Sequence, residues 1–389
     1  MDKQQKKTIL VTTSTFPTFL EGDATPAFVY ELSKRLTEFF EITVLAPYSP
    51  GCLKSEKRDG LHIIRFKYWP GKKLLTDGAI LPNIKQHSWL VIQLPFFFLF
   101  QLIAVAKICR RKNIELIHSH WVIPQGLTSA IYKLFFNKNM PLLISSHGSD
   151  VFGLKGAVFN KMRDFIFSKS NKVTVVGPEI QRQIENYLNK TPCSVIPMGL
   201  DIEKFQNFRC RHNAPKKLLF VGRLAPEKRV LDLVNAFIKL DVASVSLTIV
   251  GDGPEKPAIQ KLLDLHKDIN IQMLGAIPHI QIPKQMEQHD IFILPSEREG
   301  MPVSLVEAMA AGLICIGSDI PQIKDVIQPE QNGFLFRMGD VEDLTRTLQQ
   351  VCQLKEFAEL RHKAQLCSLE FDWQKISNKF QNVIQEMLQ

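Results

Sequence analysis

Two glutamates, Glu299 and Glu307, bracket a stretch that reads as the start of a helix, PSEREGMPVSLVEAMAAG over Pro295–Gly312. A buried strand, IFIL, ends just ahead of it; Gly300 gives the backbone freedom and Pro302 suits a first helical turn. The N-terminus of such a helix presents unsatisfied N–H groups and the positive end of its dipole, so Gly300, Met301, Val303 and Ser304 are candidate phosphate contacts. A carboxylate can accept hydrogen bonds from two vicinal hydroxyls at once. Two carboxylates around an anion-binding helix end therefore suit a nucleotide-sugar, one on each sugar ring with the diphosphate between. Taken alone, Glu307 is as readily an ordinary glutamate on a helix surface.

A second cluster is FVGRLAPEK, Phe220–Lys228, where a strand ends at Gly222 and Arg223 and Lys228 follow across a turn holding Pro226. Cations at a strand end can clamp a diphosphate and stabilise charge building on a leaving group; solvated surface charge is the plainer reading. Histidines end two more strands. His147 follows LLISS, beside Gly148 and near Asp150, and is expected as a polar contact in the site. His118 and His120 flank Ser119; we expect them on opposite faces of their strand, one buried and one lining the site, which disfavours a metal pair. Gly251-Asp252-Gly253-Pro254 lacks the third glycine of a dinucleotide fingerprint, Lys256 standing in its place; no G-x-x-x-x-G-K-[ST] and no Asp-x-Asp occurs. Neither a metal nor a cofactor is therefore expected: cationic side chains and a helix end would do what a metal does.

These groups need a scaffold. A chain of 389 residues, 45% hydrophobic and 22% charged, has the composition of a soluble globular protein and the length of two domains. Short apolar runs alternate with helical patterns throughout. The strand candidates are Ile9–Thr13, Ile42–Ala46, Ile63–Phe66, Leu116–His118, Leu142–Ser146, Val173–Val176 and Ser194–Pro197, then Leu218–Val221, Ser246–Val250, Ile271–Leu274, Ile291–Leu294 and Ile314–Gly317. Continuous apolar strands separated by helices predict parallel sheets covered on both faces, hence two α/β units in tandem. We expect a first domain over 1–205, a polar linker over 206–216 (Gln206–Lys216), a second domain over 217–370 and a last helix over 371–389. Ligands of open α/β sheets lie beyond the carboxyl ends of the strands, so two such sheets face to face would form a central cleft.

The seven cysteines are scattered without metal-binding spacing, as expected of reduced thiols in a cytoplasmic protein, and the start MDKQQKKTILVTTSTFP does not read as a signal peptide. The net charge of +9 is uneven: residues 1–205 carry 27 basic against 16 acidic side chains, the remainder 21 against 23. A one-sided positive field suits an anionic partner such as a membrane surface or a lipid-linked phosphate. The basic residues are not interleaved with stacking aromatics, so nucleic acid is not expected. Trp89–Ala106, WLVIQLPFFFLFQLIAVA, holds only Gln93 and Gln101 as polar residues, is interrupted by Pro95 and is followed by Lys107, Arg110, Arg111 and Lys112. Three readings stay open: a transmembrane span, which would put the flanking strands on opposite sides of a membrane; a buried helix; or a helix resting on a membrane surface.

Together these motifs resemble glycosyltransferase family 4, retaining enzymes of the GT-B fold. The family's E-x7-E pattern stands as Glu299 and Glu307, its G-R-L-x-x-x-K as Gly222-Arg223-Leu224 to Lys228, and its G-x-G-P as Gly251 to Pro254; HSHWVIPQG and SHGSDVFG resemble bacterial members that build surface polysaccharides. The resemblance implies two Rossmann-like domains, with the last helix crossing back to the first. It implies that Arg223 and Lys228 bind the diphosphate, that Glu299 contacts the transferred sugar and Glu307 the ribose, that His147 approaches the sugar, and that attack comes from the front face with retention. The first loop, TFPTFLEGDATPAFV, carries Gly22 where many members have a glycine pair; Gly22 is a candidate donor contact and Asp23, His120 and Asp150 are candidates on the acceptor side. The expected activity is sugar transfer from a nucleotide-diphosphate donor to a lipid-linked or cell-envelope glycan. An epimerase or phosphorylase of the same fold and a non-catalytic membrane-binding protein are the rivals.

Overall fold

Strands with neither face in water fix this architecture. In β1 (Thr8–Thr12), Ile9, Leu10 and Val11 are all buried, so layers must cover both sides of the sheet. The fold is that of a computed structural model, which describes residues 6–20, 25–70, 74–75, 80, 83–84, 87–154, 156–188, 190–206, 216–242 and 244–389.

β1 is joined by β2 (Glu41–Pro47), β3 (Ser55–Arg58), β4 (Leu61–Phe66), β5 (Leu116–His120), β6 (Leu142–Ser146), β7 (Lys172–Val175) and β8 (Cys193–Val195) in one sheet of order β3-β4-β2-β1-β5-β6-β7-β8. Ile9 lies opposite Ile42 on one side and Leu116 on the other. Every pairing is parallel except β3 with β4. A second sheet holds β9 (Lys217–Val221), β10 (Ser246–Val250), β11 (Ile271–Gly275), β12 (Ile291–Leu294), β13 (Ile314–Ser318) and β14 (Phe334–Phe336), all parallel, in the order β11-β10-β9-β12-β13-β14. The chain divides into two units: one runs to Gly199 and takes in Gln374–Gln389, the other is Leu200–Trp373.

Every strand expected from the sequence forms, with ends shifted by no more than two residues. Two others, β3 and β14, were not expected. The first, Ser-Glu-Lys-Arg, is a polar edge strand, and the second is only three residues long. Of the linker, Gln206 closes a short helix, Glu203–Gln206, and Lys216 precedes β9; residues 207–215 lie outside the described residues, as do Gly22 and Asp23.

The apolar segment after β4 forms a short 3-10 turn, Ser88–Gln93, and then the helix Leu94–Lys112. Pro95 does not interrupt it; proline belongs in a first turn, where its missing N–H costs nothing. Asn113, left-handed at φ 48°, ends the helix. Among the described residues Ser88–Lys112 is the helical stretch long and apolar enough to cross a bilayer, with mean hydropathy 2.1 over its most apolar window. It joins β4 to β5 of one sheet, so a span is ruled out by the topology. Its inner face packs Phe97 against Phe66 and Tyr68, at centroid distances of 5.2 and 5.0 Å. It is not the buried helix of the second reading either, because Ile92, Leu99 and Ile103 are exposed.

Candidate active site

In the second unit the strand order reverses between β9 and β12. β9 pairs with β10 along its full length, Lys217 to Val221, but with β12 only at Leu218 and Leu219. Beyond Phe292 the two strands part, opening the crevice where doubly wound sheets bind ligands. The loop after β9 brings Lys228 to this point and the loop after β12 brings Glu299. The ammonium of Lys228 donates to both oxygens of Glu299, at 2.6 and 2.8 Å. Ser296, fully buried, donates to the same carboxylate at 2.6 Å, and Ser318 at the end of β13 donates to the Ser296 carbonyl.

Arg223 is exposed on the β9 loop, and among the described residues its guanidinium makes no hydrogen bond or ion pair. Its backbone is fixed nonetheless. Leu224 N–H donates to the Asp252 carbonyl and Glu255 N–H to the Leu224 carbonyl, both at 2.9 Å. A Cβ on Gly251 would lie 1.8 Å from the Gly222 carbonyl oxygen, and one on Gly253 2.3 Å from that of Leu224. The Gly-x-Gly-Pro segment is therefore a packing partner that pins both neighbours of Arg223.

The helix after the Glu299 loop runs Val303–Ala310, and no side chain caps its start. Pro302 sits just before the helix at the cap position, one residue earlier than the sequence pattern places it. Val303 and Ser304 open the helix half-buried, behind Gly300 and the buried Met301. Glu307 is buried within the helix, and its carboxylate accepts from Nε2 of His279 at 2.7 Å. His279 lies in the turn His279–Gln281 after β11, and its hydrogen bond to Glu307 raises its pKa against the opposing effect of burial. Sequence reading missed His279 and Ser296. The signal for His279 was the one used for His147: a histidine just past the carboxyl end of a parallel strand.

In the first unit the order reverses between β1 and β5, tied by Thr12 Oγ1 donating to Ser119 Oγ at 2.9 Å. His118 and His120 do not point to opposite faces. Residues two apart in a strand share a face, and their rings lie 4.3 Å apart between centroids, both buried. His118 Nε2 bonds to Ser145 Oγ at 2.7 Å, and His120 Nδ1 to His147 Nε2 at 3.0 Å. His147 is half-buried among Phe28 and Trp121, 4.8 and 4.9 Å away. Burial pushes His118 and His147 down to about 3 and holds His120 well below the ordinary imidazole value, so these imidazoles are neutral hydrogen-bonding groups, not cations, at neutral pH. Asp150 is buried rather than open to a ligand. Its carboxylate accepts from Val122 N, Ser146 Oγ and Gly148 N at 2.7, 2.8 and 3.2 Å, tying the loop of His147 to that of His120.

The two halves match known families. Residues 26–204 match the family described as Glycosyltransferase Family 4, and residues 201–365 that described as Glycosyl transferases group 1. The chain is 28% identical over 309 residues to N-acetyl-alpha-D-glucosaminyl L-malate synthase of Bacillus anthracis, covering 73% of this chain and 77% of that one. It is 30% identical over 181 residues to the UDP-Gal:alpha-D-GlcNAc-diphosphoundecaprenol alpha-1,3-galactosyltransferase of Escherichia coli, covering 43% and 47%. The Anabaena protein HepE, solved in complex with UDP, superposes over 98% of this chain and 100% of its own with a TM-score of 0.72 at 16% identity, which shows a shared GT-B fold. The chain belongs to glycosyltransferase family 4 and is a GT-B glycosyltransferase.

Proposed function

We propose that this enzyme transfers a sugar, with retention, from a nucleotide-diphosphate donor to a lipid-linked or cell-envelope glycan at the cytoplasmic face of a membrane. The observation that carries the donor reading is the placement of Lys228 and Glu299 across the crevice between β9 and β12. Arg223, Lys228 and the uncapped helix start at Val303 hold the diphosphate, with Gly22, Gly300, Met301 and Ser304 as backbone or side-chain contacts. Glu299 accepts from hydroxyls of the transferred sugar and Glu307 from the ribose. His147, neutral and held by His120, meets the sugar as a hydrogen-bond partner. Asp23, His120 and Asp150 belong to the acceptor side, the last two acting through the loops they fix.

In the reaction the bond from the anomeric carbon to the diphosphate oxygen breaks through an oxocarbenium-like state, the electron pair leaving with the diphosphate. The acceptor oxygen bonds to the same face of that carbon, and its proton passes to the departing phosphate oxygen. Positive side chains and the helix dipole, not a metal, stabilise the leaving group. The E. coli relative, whose name specifies UDP-Gal and a diphosphoundecaprenol acceptor, supports a UDP-sugar and a lipid-linked acceptor. Incubating the protein with a panel of nucleotide sugars and undecaprenyl-diphosphate saccharides tests this. Release of nucleoside diphosphate with a product of unchanged anomeric configuration is expected, in the presence of a chelator as well. An inverted product, or donor turnover that never needs an acceptor, overturns it.

A further inference from the structure

We propose that the outward face of Trp89–Ile103 is a docking surface for an anionic lipid bilayer. It deepens the lipid-linked-acceptor reading and rests on it only for what the docked enzyme reaches. The segment is inside out for a protein in water. Its glutamines face inward, Gln93 at 1% and Gln101 at 0% exposure, while Ile92 and Ile103 are 62% and 51% exposed. Gln93 Oε1 and Gln101 Nε2 are buried with no partner among the described residues; Gln101 is held only by Thr128, at 3.3 Å.

Outside, Trp89, Ile92, Phe96, Leu99, Phe100 and Ile103 recur every three or four residues and form one stripe roughly 20 Å long. An apolar stripe of this length on a soluble protein marks a surface with a partner. Trp69 packs on Phe96 at 5.0 Å, adding an aromatic of the kind that favours the membrane interface.

Charge selects the partner. Ser88–Lys112 contains no acidic residue. One turn past Ile103, on the same face, stand Lys107 and then Arg110, with Arg111 beside them, all exposed. Apolar side chains running into cations on one face match the acyl region and the phosphates of an anionic leaflet. A two-fold pairing of this stripe with a second copy would instead set the cations against each other or against bare apolar surface.

Flotation of the full-length protein with phosphatidylcholine vesicles, with and without phosphatidylglycerol, tests the proposal; neither donor nor acceptor is present, so its outcome is separate from that of the transferase reading. The protein is expected to float with the anionic vesicles and to be released by raised salt. The double variant Leu99→Glu/Ile103→Glu is expected to lose at least about tenfold in partitioning, and Arg110→Gln about fivefold at low salt. Melting temperature and nucleoside-diphosphate binding, unchanged in both, show that the fold survives. Failure of the wild-type protein to float, wild-type flotation by the double variant, or a concentration-dependent dimer that this variant abolishes would each overturn it.

Discussion

Lys228→Met isolates what Lys228 does for the fold, apart from the donor contact proposed for it. Its ammonium bonds both oxygens of Glu299, a carboxylate only 7% exposed, while its own side chain stays 21% exposed. Methionine keeps the length and removes the charge, leaving the Glu299 carboxyl in a nearly closed pocket with Ser296 as its remaining side-chain donor among the described residues. Stranding one partner of a fully buried pair costs about 3–5 kcal/mol. The water that reaches Lys228 and the Ser296 hydrogen bond reduce this to about 2 kcal/mol. In a unit of this size that lowers the melting temperature by about 4–8 °C. Differential scanning calorimetry at neutral pH reads it. Adding Glu299→Gln replaces the stranded charge with a neutral amide and should recover at least half of the loss. A melting temperature for Lys228→Met within about 1 °C of wild type, or no recovery in the double variant, would refute the claim that this pair is energetically coupled in the free enzyme.

Arg223 is exposed and unpaired among the described residues, so Arg223→Ala should melt within about 0.5 kcal/mol of wild type yet lose roughly 100- to 1,000-fold in turnover; wild-type transfer would remove the leaving-group role. Glu307→Gln should weaken nucleoside-diphosphate binding by about tenfold, read by isothermal titration, and unchanged affinity counts against the ribose contact. The pKa of His279 is raised in the folded chain, so its bond to Glu307 adds stability fully below the ordinary imidazole value of 6.5, and that contribution is lost as pH rises through the raised value. His279→Ala should therefore fall further below wild type in mild acid than in alkaline solution, where the imidazole has lost its charge; an offset that is constant with pH sinks this assignment. Gly251→Ala forces a Cβ onto the Gly222 carbonyl at φ +142° and should cost more than about 3 kcal/mol, whereas Gly275→Ala, at φ +72° with nothing within 4 Å, should cost about 1–2 kcal/mol; equal thermal losses would contradict the packing role.

What the sequence disclosed and what it hid follow one physical line. The strand Ile291–Leu294 announces itself because burial on both faces leaves no polar position in the run, and Leu142–Ser146 does so through the three apolar residues that open it. The edge strand Ser55–Arg58 has no buried residue, so nothing in its composition separates it from a loop. Glu299, Glu307, Arg223 and Lys228 were visible through spacing, but their partners were not. Ser296 stands three residues before Glu299 in the same loop, but Ser318, which holds the Ser296 carbonyl, and His279, which holds Glu307, come from beyond the ends of other strands, and proximity across a parallel sheet leaves no mark on local sequence. The opposite-faces reading of His118 and His120 was a misapplied period, since alternation sends neighbours apart and second neighbours together. Which face of the Leu94–Lys112 helix turns outward stayed open among the three readings for a related reason. With apolar residues on every side, the pattern cannot say which stripe faces in; only the two glutamines discriminate, and they point the unexpected way.

The two candidate site carboxylates of the second unit are each already held by a side chain from another loop, Glu299 by the Lys228 ammonium and Glu307 by the His279 imidazole. An unpaired carboxylate this deeply buried would be costly, so if the site offers both to sugar hydroxyls, as proposed, each needs an internal partner before any donor arrives. The two pairs differ in what they leave available. An ammonium has three protons, and Glu299 takes two of those on Lys228; the third can reach a phosphate oxygen without breaking the pair. In the proposed site Lys228 can therefore orient Glu299 and touch the diphosphate at once, while the fork of Arg223, unpaired among the described residues, would spend its whole charge on the leaving group. The imidazole of His279 reaches Glu307 through a single nitrogen, and the hydroxyls of the proposed ribose would compete for the same carboxylate. Deprotonating His279 weakens its hold on Glu307, so of the two carboxylates it is the Glu307 end of the donor site whose affinity should depend on pH.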